Sequence, residues 1–69
     1  MLFLIEYNRR AGHTVSLEEF DDSEGRTVQD ARLEDELDLF RKGVDHDVVI
    51  LQAESKEALR LTHGRYGTL

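Results

Sequence analysis

Residues 45–54 read DHDVVILQAE, and the fold turns on how this stretch is interpreted. Four consecutive apolar side chains, Val48, Val49, Ile50 and Leu51, stand between charged ends. A half-buried strand alternates apolar and polar, whereas a continuous apolar run of this length is expected of a strand covered on both faces. The N-terminal stretch LFLIEYNR repeats the pattern. Phe3, Ile5 and Tyr7 share one face, and Leu2, Leu4 and Glu6 share the other. Two doubly apolar strands call for a sheet with cover on both sides.

The remaining elements fall around these two. RRAGH, residues 9–13, offers a turn at Gly12, and TVSLEEF reads as the returning strand of a hairpin. Val15 and Leu17 point inward there and Phe20 falls out of phase, so a β-bulge is expected near Glu18 and Glu19. After the break DDSEGR, Thr27 resembles an N-cap and opens VQDARLEDELDLFRKG. Val28, Ala31, Leu33, Leu37, Phe40 and Val44 approach the helical period, and Arg41 and Lys42 before Gly43 suit a C-terminus. Ser55 caps a second, short helix, KEALRLTH, which Gly64 is placed to end.

The expected fold is therefore α+β, in one domain over residues 1–69. A small, mainly antiparallel three-stranded sheet carries two helices in the order β-β-α-β-α. Placing the third strand beside the first gives the sheet order 2-1-3, with the most apolar strand central. If both helices lay on one face, the other would stay greasy. Either the short helix covers it or another subunit does.

Composition narrows function. The chain has 69 residues, no cysteine and a net charge of −6. The absence of cysteine excludes disulfides, thiol chemistry and Cys-ligated metals. The charge is uneven: residues 14–57 carry −9, while residues 1–13 carry +1 and residues 58–69 carry +2. An acidic domain of this kind lacks the basic footprint of non-specific DNA binding. No run approaches the roughly 20 apolar residues of a membrane span, and MLFLI is shorter than the apolar region of a signal peptide. A cytoplasmic location is the expectation.

Reactive side chains gather at one end of the expected topology. The hairpin tip brings Arg9, Arg10 and His13, the third strand begins at Asp45, His46 and Asp47, and the C-terminal segment contributes His63, Arg65 and Tyr66. Arginine offers a bidentate fork, histidine a titratable donor and tyrosine a stacking surface for a small anion, nucleotide or RNA end. Plainer readings compete at each position. His63 suits a helix C-terminus, and surface turns are commonly charged. In a strand, Asp45 and Asp47 face away from His46, so the three do not close a metal site. Asp30, Glu34, Asp35, Glu36 and Asp38 read as a solvated helix face.

No cofactor or metal is expected, and no catalytic arrangement is found. The leading expectation is a non-enzymatic interaction module that forms a homodimer or binds a protein partner. Anion binding at Arg9, Arg10, His13, His63, Arg65 and Tyr66 is the alternative.

Overall fold

A computed structural model describes residues 1–62. His63, Gly64, Arg65 and Tyr66 lie outside the described residues. Strand β1 (Leu2–Asn8) is central in a three-stranded sheet between β2 (His13–Phe20) and β3 (Asp47–Gln52), and it is antiparallel to both. The order 2-1-3 expected from the apolar strands is the order observed. Helix α1 (Gly25–Lys42) joins β2 to β3, and the short α2 (Lys56–Thr62) follows β3. No described helix is long and apolar enough to cross a membrane.

The hairpin closes on Asn8. Its side-chain oxygen accepts from the backbone N–H of Arg10 and Ala11, both at 3.1 Å. Its carbonyl accepts from Gly12 at 2.8 Å. Gly12 adopts φ 72°, the left-handed region in which a Cβ is costly.

Alternation along β1 sorts the core into two layers. Phe3 and Ile5 are fully buried against Leu59 of α2, with Leu17, Val49 and Leu51 packed around them. Leu4, on the opposite face, pairs with Ile50 and Glu18. Helix α1 covers that second face: its Asp35 senses the charges of Glu18 and Glu6, which share the Leu4 side. Each face of β1 thus has its own helix, and of the two covers the sequence allowed, the short helix supplies one.

Three local expectations are corrected. The bulge is not near Glu18 and Glu19. Ser16 pairs with Glu6 and Thr14 with Tyr7, so Val15 is the extra residue. Phe20 needs no bulge because it lies opposite Leu2 on the face under α1. The helix also starts before Thr27. A 3-10 turn over Asp22–Glu24 leads into α1, and Asp21 caps it with a capping box. Its carboxylate accepts from the Ser23 N–H at 3.0 Å, while Glu24 accepts from the Asp21 N–H at 2.9 Å. A bond from the Ser23 hydroxyl and, after it, the bond from the Ser23 N–H hold the Asp21 carboxyl below its ordinary value.

The third correction concerns which side of α1 is buried. Val28 is buried, and Ala31, Arg32, Asp35 and Leu39 are half-buried. Positions 28, 32, 35 and 39 form one row along a helix. Leu33, Leu37 and Phe40 lie in another row and remain 54%, 52% and 82% exposed. Asp35, expected on the solvated face, is instead turned toward the sheet. Loss of water raises its carboxyl above the ordinary 3.8, and the charges of Glu18 and Glu6 add to the effect.

The C-terminus of α1 matches its signal. Gly43 takes φ 68°, its N–H reaches the Phe40 carbonyl, and the Val44 N–H reaches that of Leu39 at 3.0 Å. This is a Schellman closure, and it carries Val44 just beyond the helix. In α2, the Ser55 hydroxyl caps as expected, accepting from the Ala58 N–H at 3.0 Å.

Candidate functional site

Two regions compete, the hairpin end and the outer face of α1. At the hairpin end, the topology brings the β1–β2 tip beside the start of β3. Arg9 binds Asp45 at 2.9 Å and lies 3.4 Å from Asp47. His46, alternating with those carboxylates, turns the other way and places Nδ1 2.6 Å from Glu6. Both members of that pair are largely buried at the side chain, so they tie β3 to β1 beneath α1. A shallow cleft of about 500 Å³ opens beside them, lined by Asn8, Arg10, Ala11, Gly43, Asp45 and His46.

Of the expected anion-binding residues, Arg10 lines this cleft. Arg9 stands next to it, held by two carboxylates. His13 is exposed at the start of β2, its Nδ1 3.3 Å from the Thr14 carbonyl oxygen. His63, Arg65 and Tyr66 lie outside the described residues. Among the described residues, no group of three or more His, Asp or Glu side chains is placed to hold a metal. The cleft also adjoins the C-terminal, negative end of the α1 dipole and the Asp45 carboxylate, neither of which attracts an anion.

The outer face of α1 was not foreseen as a site. Leu33, Leu37 and Phe40 are spaced 4-3, which aligns them in one stripe of α1, and Val44 follows just beyond the helix end. At 3.6 residues per turn, this stripe lies roughly 140° around the helix from the row led by Val28. It therefore faces away from the sheet. Charged residues border it. On one side Glu36 is joined to Arg32 at 3.6 Å, one turn apart. On the other lie Glu34 and Arg41, neither with a partner among the described residues. Farther round, Lys42 binds Asp38 at 2.8 Å, and the carboxylate holds the ammonium proton more tightly, raising the lysine above its ordinary value.

A signal for this face was present in the sequence. The apolar residues of α1 divide between two rows, with Val28 and Leu39 in one and Leu33, Leu37 and Phe40 in the other. A helix carrying two apolar rows has one more than a single sheet face can bury. The second needs a partner, or it stays wet.

The arrangement has contact surface and charge, but no nucleophile aligned with a base on that stripe. Comparison of the chain with protein-family models, curated proteins and solved structures gives no match.

Proposed function

We propose that this chain is a non-enzymatic interaction module that self-associates by packing α1 antiparallel against α1 of a second copy. One observation carries the reading: Phe40, flanked by Leu33 and Leu37, is 82% exposed on the helix face opposite the sheet. A phenylalanine offers roughly 150–250 Å² and leucines somewhat less, so the exposed parts of the three side chains present on the order of 350 Å² of apolar surface. Isolated exposed apolar residues need no explanation, whereas contiguous patches of this size are often functional.

Charge selects the second copy and its direction. Antiparallel pairing sets Leu37 beside Phe40 of the second copy, and Leu33 toward the C-terminal end of its α1. Glu34 then faces Arg41 of the second copy, and the two-fold axis repeats the contact. These are the two bordering charges without partners among the described residues. The helix dipoles are opposed in the same arrangement.

The pairing is weak by design of its size. Two stripes remove on the order of 700 Å² of apolar surface from water, roughly 17 kcal/mol at 25 cal/mol per Å². Lost translational and rotational freedom takes back about 10 kcal/mol of that. The remainder, about 7 kcal/mol, corresponds to a Kd on the order of 10 μM. Sedimentation equilibrium across a dilution series tests this reading. The wild type should pass from dimer to monomer through the micromolar range, while Phe40→Asp, a change at an exposed position, stays folded and monomeric throughout. A monomer at millimolar concentration would end the proposal.

Anion binding at the hairpin end is the weaker reading. Arg9 is occupied by Asp45 and Asp47, so Arg10 is the principal described cation left to attract a ligand there.

A further inference from the structure

Among the described residues, the outer edge of β3 pairs with no strand, and it presents a different surface. Met1 and Ala53 exchange both backbone bonds, at 2.9 and 3.0 Å. Hydrogen-bonded and non-hydrogen-bonded pairs alternate along an antiparallel ladder. Counting from that pair, Leu51, Val49 and Asp47 direct their backbone groups at β1. Val48, Ile50 and Gln52 direct theirs outward, where no described residue meets them.

The two edges of the sheet are not equally guarded. On β2, the bulge at Val15 and the charges of Glu18 and Glu19 discourage another strand. On β3, residues 48–51 are uniformly apolar, and the strand has no bulge, lysine or proline. Acids mark its two ends: Asp45 and Asp47 share the single cation of Arg9 at one, and Glu54 stands at the other.

These acids choose the occupant. Two copies paired edge to edge about Ile50 would set Val48 opposite Gln52 of the second copy. Asp45 and Asp47 would then lie at the same end as Glu54 of the second copy, on the other face of the sheet but within a Debye length of it, and this repulsion of acidic ends would occur twice. A strand with basic ends meets complementary charge at both. We propose that the β3 edge binds an extended segment of a partner protein, apolar at alternate positions and flanked by lysine or arginine, which adds a fourth strand. This surface is separate from the α1 stripe and does not depend on self-association.

The probe is a synthetic peptide of alternating valine and threonine with two lysines at each end, titrated into the amide-labelled full chain. Saturable shifts and slowed hydrogen exchange are expected at the Val48, Ile50 and Gln52 amides. Methylating alternate peptide nitrogens should abolish binding, and exchanging the end lysines for glutamates should weaken it at least tenfold. Gln52→Pro deletes an outward N–H without removing a bond to β1, and should weaken binding roughly two- to tenfold. The methylated peptide keeps the test decisive even if that variant folds poorly. Three results would overturn the inference: no shift at millimolar peptide, shifts confined to residues 33, 37 and 40, or equal binding of the glutamate-ended peptide. Sedimentation of the chain alone reads the α1 pairing independently, so the two can fail separately.

Discussion

Replacing Asp35 with asparagine should stabilise the protein at neutral pH, although it removes a charge from a net-acidic helix. Asp35 lies on the sheet side of α1, half-buried, with Glu6 and Glu18 across from it and Glu34 and Asp38 beside it on the helix. Partial loss of water is the largest cause of its raised carboxyl, and the four negative neighbours act in the same direction. A carboxyl that binds its proton more tightly when folded favours the folded state at low pH. Below the ordinary value of 3.8 that contribution is fully present, and it is lost as pH rises through the folded value. At pH 7 the wild type therefore folds against the repulsion, and asparagine does not. Like-charge neighbours are each worth a few tenths of a kcal/mol, so the gain is about 0.5–1 kcal/mol. For a domain of this size that amounts to an increase in Tm of roughly 2–8 °C. Thermal unfolding followed by circular dichroism from pH 7 to pH 3 is the assay. The difference between variant and wild type should be largest at pH 7 and shrink toward zero in acid. A variant less stable at pH 7, or a difference independent of pH, would refute the electrostatic account of that face.

The same substitution at two glycines should act in opposite directions. Gly25 is helical and an added Cβ meets nothing within 4 Å, so Gly25→Ala should stabilise by about 0.4–1 kcal/mol in urea unfolding. Gly43 is equally open but sits at φ 68°, so Gly43→Ala should cost about 1–2 kcal/mol for backbone reasons alone. Leu59 is fully buried between Phe3 and Ile5, and Leu59→Ala should cost about 2–5 kcal/mol. In so small a domain that loss should leave a substantial unfolded fraction, read as weakened near-UV dichroism at 25 °C.

Sheet order and strand pairing were legible because residues 48–51 and LFLIEYNR are apolar on both faces, and period-two alternation leaves few ways to bury them. Alternation also anticipated that Asp45 and Asp47 would face away from His46. They bind Arg9, while it binds Glu6. The start of α1 was missed although Asp21 and Glu24 stand at capping-box spacing, because Thr27 offered a competing cap closer to the apolar positions. The bulge was misplaced because Phe20 was assigned to the Leu17 face, when a sheet covered on both sides accepts it on either. The orientation of α1 was not legible. Local periodicity allows either apolar row inside, and the choice is made by packing against β1 and β3, which accepts Arg32 and Asp35 with Val28 and Leu39. At the hairpin end, the meeting of Arg9 with the start of β3 followed from topology, whereas its capture by two carboxylates depends on side-chain reach.

The most direct test of self-association through α1 is a charge exchange measured by sedimentation equilibrium. Glu34→Arg places two cations against each other across the antiparallel pair, and Arg41→Glu places two anions. Each change should weaken the dimer several-fold, and the two together should restore it to near the wild-type Kd. Restoration identifies Glu34 and Arg41 as cross-dimer partners. If the single changes leave the association constant untouched, or the double variant is as weak as either single one, α1 does not pair with a second copy in this way.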